Sequence, residues 1–312
     1  MPWSTSGRET EPAREEYPHI FSTDVWDRRS FWYTNRPNIL NMQVRANWDA
    51  MKVINTDRPD FTDVATVVGK KVVQVETGWT FRERQQPDLI SDQNTLPESL
   101  LRVGVSDHFE WRIKWDGGYT WSRTHDYDTG LTSSTAGGSD TTLGFKWIVK
   151  DQDDWMPLQT IVTRLSVPTG VPAYSANTVQ PGISYIYNWQ VRRWWFIRGA
   201  TGLDWLNHAG PIFTTAGGPS SNIEFGHDYQ VQCAQSISSY FQIAPRLGMF
   251  MEWFILMHAK SADNRPDNYH DYGVYYYLTP NLQLDARIGQ RFSGPGFNEW
   301  FTGAGISFRL QE

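Results

Sequence analysis

Residues 109 to 116 read FEWRIKWD, with Phe109, Trp111, Ile113 and Trp115 on one parity and Glu110, Arg112, Lys114 and Asp116 on the other. Successive side chains of an extended chain point to opposite faces, so this stretch predicts a strand with one apolar and one charged side. The sorting recurs along the chain. Val73, Val75, Thr77, Trp79 and Phe81 oppose Gln74, Glu76 and Arg82, and Leu282, Leu284, Ala286 and Ile288 oppose Asp285, Arg287 and Arg291. Trp300, Ala304, Ile306, Phe308 and Leu310 oppose Arg309, and Ile243, Leu247, Met249, Met251, Trp253, Ile255 and Met257 oppose Arg246 and Glu252. A period of two predicts about twelve strands, near 71–82, 98–106, 108–121, 139–150, 156–167, 181–191, 193–206, 225–237, 240–258, 269–279, 282–292 and 299–310.

The connections alternate in length. Short links are expected at SDH (106 to 108), DQDD (151 to 154), near Arg192, at SSY (238 to 240) and at TPN (279 to 281), with residues that suit hairpin turns. Long links at 83–97, 122–138, 168–180, 207–224, 259–268 and 293–298 are rich in Gly, Ser, Asn, Asp or Pro. An up-and-down transmembrane barrel has that asymmetry, with tight periplasmic turns and extended external loops; a soluble Greek-key sandwich, the competing reading, has no reason for it. One charge on the lipid face at the bilayer midplane costs about 2–4 kcal/mol, which accounts for charges keeping to one parity. The fold expected is an all-β, up-and-down antiparallel transmembrane β-barrel with an irregular N-terminal extension. Residues 1 to 57 form that extension, periplasmic or plug-like, and 58 to 312 the barrel.

Composition agrees with this. Aromatics make up 15% of the chain, with 16 Trp, 14 Tyr and 16 Phe, a load that suits rings at a membrane interface. Trp79, Trp121, Trp147, Trp189, Trp194 and Trp300 lie near expected strand ends and are candidates for such girdles. An apolar fraction of 39% and mean hydropathy of -0.52 do not fit a helical membrane protein, and no stretch approaches the roughly 20 apolar residues of a spanning helix. The net charge of -6 and the lack of a Lys/Arg-rich block argue against nucleic acid as a partner. Cys233 is the only cysteine, which excludes an intramolecular disulfide and a cysteine-based metal site. The opening MPWSTSGRETEPAREE has neither the basic start nor the apolar core of a secretory leader, so export implies a leader removed before this numbering begins.

Several segments are similar to a known family. DRPDFTD at 57 to 63, VVQVETGWTF at 72 to 81, LLRVGVSDHFEWRI at 100 to 113, SVPTG at 166 to 170, YYLTPNLQLDARIG at 276 to 289 and WFTGAGISFRL at 300 to 310 resemble the outer-membrane barrel family catalogued under the meta-pathway of phenol degradation, whose members are labelled transporters. The DRPDFTD opening and the LTPNLQLD hairpin are its most specific parts. The resemblance implies an outer-membrane protein of a Gram-negative bacterium that helps small compounds, aromatic ones among them, into the cell. The chain departs from the pattern in its aromatic N-terminal extension and in ending on Leu310, Gln311 and Glu312 in place of a terminal aromatic.

Function follows from what the barrel encloses. In a channel, Glu76, Arg102, Glu110, Arg112, Lys114, Asp116, Arg246, Glu252, Asp285, Arg287 and Arg291 line the lumen and their field selects small solutes. If those charges instead pair with one another, the barrel is closed and anchors a protein partner through residues 1 to 57 or the loops. A barrel lipase is the third reading, but no histidine sits in a nucleophile motif and no G-x-S-x-G occurs, so no enzyme is expected. Oxygen-rich stretches at 124–128, 151–154 and 262–271 lack EF-hand spacing, and neither metal nor cofactor is expected. The partners expected are the outer-membrane bilayer and a small-molecule solute.

Overall fold

In the computed structural model, described here for residues 53–153, 155–207, 229–258, 265–294 and 298–311, alternation is realised as strand after strand. Among the described residues there are fourteen: β1 (Val72–Gln85), β2 (Leu89–Ser106), β3 (Phe109–Trp115), β4 (Thr120–Asp126), β5 (Thr132–Gly137), β6 (Thr141–Lys150), β7 (Leu158–Val167), β8 (Gln180–Arg192), β9 (Trp195–Asn207), β10 (Tyr229–Ala244), β11 (Leu247–His258), β12 (Asp267–Thr279), β13 (Leu282–Ser293) and β14 (Asn298–Gln311). All neighbours are antiparallel. β1 pairs with β14 from Val72↔Gln311 to Gln85↔Asn298 and also with β2, so the sheet closes on itself. Closure leaves the strands of the ring itself no unpaired edge for hydrocarbon to face. The ring follows chain order except that β3 is followed by β6.

β4 and β5 stand outside the ring. β2 changes partner along its length, pairing with β3 from Ser99 to Ser106 and with β4 from Leu89 to Thr95. The expected single strand at 108–121 is therefore broken at Asp116, Gly117 and Gly118, and the expected loop at 122–138 carries most of an outlying hairpin. Its turn is pinned by Asp126, whose carboxylate accepts the backbone N–H groups of Asp128 and Thr129 (2.9 and 3.0 Å). Those bonds, Thr129 first, hold the Asp126 carboxyl below the usual carboxylate range.

Two other boundaries differ. Residues 83 to 97, expected as a loop, are almost wholly strand, because β1 and β2 run on past the level of β3. The expected turn at SSY falls inside β10, and the chain reverses instead at Pro245 and Arg246. Ser236 and Ser238 face the interior and are buried; serine on the polar side of a barrel strand is no turn signal. The expected loop at 207–224 and most of that at 259–268 lie outside the described residues.

The faces fall as the alternation requires. Trp111, Ile113 and Trp115 are exposed on the outside, whereas Glu110 is 0% exposed and Arg112 7%. Ile288, Ile306, Met251 and Leu310 are likewise on the outer surface. The core is the barrel interior, where Ile54, Val64, Ile186 and Phe250 are among the most buried side chains.

Candidate functional site: a plug seated in the barrel

The stretch before β1 enters the barrel from the end with the short turns. The Ile54 N–H donates to the carbonyl of Pro280 in the β12–β13 turn (2.7 Å), and the Lys71 N–H to that of Gly104 near the β2–β3 turn (3.0 Å). Between them residues 55 to 68 cross the interior and return. An irregular segment has no ladder to satisfy its backbone, so each polar group needs a partner from the wall. The wall supplies them. Thr62 donates its N–H to Glu252 Oε1 (2.9 Å), Phe61 its N–H to Oε2 (2.7 Å), and Val68 its N–H to Glu110 Oε2 (2.8 Å). Asp57 and Arg58 both donate backbone N–H groups to Glu76 (2.9 and 3.0 Å).

At the centre lies Asp57. Its carboxylate meets Arg112 Nη1 (2.7 Å) and Lys146 Nζ (2.9 Å), accepts the Val64 N–H (2.8 Å), and lies 3.7 Å from Arg102. Arg102, fully buried, bridges Glu110 (2.8 Å), Glu76 (3.1 Å) and the Thr66 carbonyl (2.8 Å). Isolated ions in such a place are very unfavourable; each of these is paired with an opposite charge. One side of the barrel, β1, β2, β3 and β6, thus holds the plug by charge.

The opposite side holds it by packing. Phe61 stacks on Phe254 (centroids 4.3 Å apart, 7° between planes), and Phe254 stacks on Tyr269 (4.7 Å). Tyr240 donates its hydroxyl to Asp60, and Arg198 lies over the Tyr240 ring at 3.6 Å. Between the two sides Arg58 extends to Glu98 (3.0 Å) and Asp285 (3.5 Å). It lies flat on Gly78 and Gly305, which are cross-strand partners. A Cβ on Gly78 would stand 2.3 Å from the Arg58 guanidinium and one on Gly305 2.4 Å from it.

Above the plug, toward the long loops, is a cavity of about 250 Å³. Phe61 and Asp63 form part of its floor. Ile186, Ala200, Ala234 and Leu256 make one wall apolar, and Arg82, Glu98, Lys114, Arg164 and Arg287 make another charged. Tyr174 and Ala176, from the loop after β7, reach it from the rim.

The charged positions expected from the sequence divide into groups. Glu76, Arg102, Glu110, Arg112, Glu252 and Asp285 face inward and contact the plug. Lys114 pairs with Asp116 (2.7 Å) at the cavity, and Arg287 donates to Thr80 Oγ1 (3.3 Å). Arg291, higher on the wall, pairs with Asp267. Arg246 does not face the interior: it is exposed in the β10–β11 turn, because that turn lies later than SSY. Of the tryptophans, Trp147, Trp189 and Trp194 lie toward the turn end, and Trp79 and Trp300 farther toward the loops. Trp121 belongs to the outlying β4 and not to the ring. Asp57, Arg58, Asp60, Thr62, Lys146 and Asp271 were not singled out. For four of them the signal was present in DRPDFTD; Lys146 and Asp271 are single charges on the polar parity of their strands.

A closed antiparallel barrel with an apolar outer surface and a polar interior defines the class of outer-membrane β-barrel proteins. The chain belongs to the family described as "Putative MetA-pathway of phenol degradation", whose model matches residues 56–310. That match begins within the plug, so the plug is part of what the family shares. Among solved structures, an outer membrane channel from Pseudomonas putida F1 is similar at 10% identity and a TM-score of 0.57, covering 79% of this chain and 98% of that one. The translocator domain of the autotransporter NalP from Neisseria meningitidis (8% identity, TM-score 0.49, 87% and 95% coverage) and the CymD monoaromatic hydrocarbon channel (8%, 0.41, 78% and 90%) are more distant. Comparison with curated proteins gives no match.

Proposed function

We propose that the protein is an outer-membrane channel for small amphipathic solutes, aromatic ones included, whose luminal plug is its gate. The observation that carries this reading is that, among the described residues, the plug is held by non-covalent side-chain and backbone contacts and floors a cavity on its loop side. In this reading the loop end is extracellular, as in barrels of this class, residues 53 to 69 form the plug, and the tryptophans form two interfacial girdles. A cavity of about 150 Å³ is enough for benzene, so the volume above the plug accommodates a substituted ring, with one apolar and one charged wall to receive it. The description of the Pseudomonas putida structure as an outer membrane channel supports the same class. The rival reading, a closed barrel that anchors a partner, is favoured by the completeness of the Asp57 and Arg102 network.

A reversible lock separates them. Thr62 Oγ1 and Ser236 Oγ are 2.6 Å apart, close to the roughly 2.05 Å of a disulfide. With Cys233→Ser, the double variant Thr62→Cys and Ser236→Cys fixes the plug to β10. Current steps in planar bilayers should vanish on oxidation and return on reduction. Steps unaffected by oxidation would show that solutes pass without plug movement; silence in both states would favour the anchor.

A further inference from the structure

Glu252 on β11 and Asp271 on β12 are directly opposed cross-strand partners, with exposures of 4% and 0%. Opposed side chains on one face of an antiparallel pair have Cβ atoms about 4.5–5.5 Å apart. Glu252 commits both oxygens to the plug, accepting the N–H of Phe61 and the N–H and hydroxyl of Thr62. Asp271 is fully buried, yet no hydrogen-bond donor reaches either of its oxygens among the described residues. A third carboxylate, Asp60 on the plug, accepts the Tyr240 hydroxyl with one oxygen and, among the described residues, nothing with the other.

The ionisable groups facing this cluster are few. Arg198 of β9, Tyr240 of β10 and Tyr275 of β12 interact with Asp60; Arg287 of β13 and Asp60 itself act on Asp271. Two adjacent buried carboxyls do not both ionise readily, and a single proton held between them supplies the donor that Asp271 lacks.

We propose that the Glu252–Asp271 pair binds one proton and thereby acts as a pH-operated latch on the plug, an inference resting on the reading of residues 53 to 69 as the gate. With the proton in place, the pair carries a single negative charge and Glu252 accepts the plug's N–H groups without repulsion from β12. When solvent hydroxide removes it, Glu252, Asp271 and Asp60 face one another as three anions across the plug–wall seam. The plug is then pushed off its seat, so the channel opens as pH rises.

The test uses the full chain in planar bilayers between about pH 5.5 and about pH 9, a range that reaches the roughly 8–9 at which buried carboxyls can titrate. Open probability of the unmodified protein should rise by about 5- to 150-fold, the usual range of coupling between two linked equilibria. Asp271→Asn keeps a donor beside Glu252 at every pH and should flatten the profile at its low value. Glu252→Gln removes the charge that holds the plug and should give open steps already at low pH. Heat-modifiable migration on gels confirms that each barrel is assembled. A rise with pH that survives in Asp271→Asn overturns the latch. So does a flat profile in an unmodified protein that conducts and is silenced by the Thr62–Ser236 lock, which leaves the gate intact. Silence of every variant at every pH removes the gate and the latch with it.

Discussion

Side chain by side chain, the plug motif reads as a set of keys, each with its own socket. Asp57 meets Lys146 and Arg112, Arg58 meets Glu98, Phe61 meets Phe254, and Asp63 meets Arg112 at 3.1 Å. Asp57→Asn leaves three buried cations facing an uncharged amide. Removing one partner of a buried ion pair costs about 3–5 kcal/mol. We expect that loss mostly as plug release, seen as more frequent open events at fixed voltage, with a smaller change in the urea midpoint of the barrel. The glycine sockets give a sharper case. Gly305→Ala places a Cβ against Arg58, and overpacking of this kind costs about 1–3 kcal/mol. Arg58→Ala in the same chain removes the main clash, so the double variant should be more stable than the sum of the single changes predicts. Additive urea midpoints would mean that Arg58 does not lie on Gly305. DRPDFTD was legible as a signature but not as a plug. Its residues have no period, and only the folded wall shows that acids on the motif answer cations on β3 and β6.

For strands, the outer and inner faces were legible and the ends were not. A barrel strand in the bilayer has an apolar face to keep, so its parity is written in the sequence. Beyond the bilayer that demand lapses, and Glu83–Gln85 and Ser91–Thr95 are polar on both faces although they are paired strand. The same lapse hides the β4–β5 hairpin. Strand 11 misleads in the opposite way: its inward Phe250, Phe254 and Leu256 pack the interior, so MFMEWFILM is apolar on both faces. Depth along a strand sets the cost of a charge. Ile288, outward near the middle of β13, should lose about 2–4 kcal/mol on substitution by Arg, whereas Leu310, outward near the end of β14, should lose about 0–1 kcal/mol. Reversible urea unfolding from lipid vesicles measures both; equal losses would mean that β13 does not face hydrocarbon at that level. The hairpin lies outside the ring, and assembly should not require it. Replacing residues 117 to 139 with a short turn should leave a heat-modifiable barrel of unchanged urea midpoint while widening the entrance to the cavity.

At the scale of the whole molecule, the net charge of -6 says little about what an ion meets inside. The cavity wall carries five basic side chains, Arg82, Arg112, Lys114, Arg164 and Arg287, and five acidic ones, Asp63, Glu98, Asp116, Asp140 and Asp204. Most of them are engaged with one another, as in Arg164–Asp204 at 2.9 Å and Lys114–Asp116 at 2.7 Å. A pore lined in this way presents alternating local fields and almost no mean field, so it should discriminate weakly between cations and anions. The Arg164–Asp204 pair is the place to test this, because both side chains are about a quarter exposed (27% and 24%). A pair so placed contributes only about 0–1 kcal/mol to stability, so breaking it changes the field far more than the fold. Under a tenfold KCl gradient the unmodified protein should reverse near zero voltage. Asp204→Asn leaves Arg164 unbalanced and should move the reversal potential toward that of chloride; Arg164→Gln should move it toward that of potassium. Shifts of opposite sign would place the conducting path through this cavity. Two unshifted reversal potentials would mean that ions cross the barrel by another route.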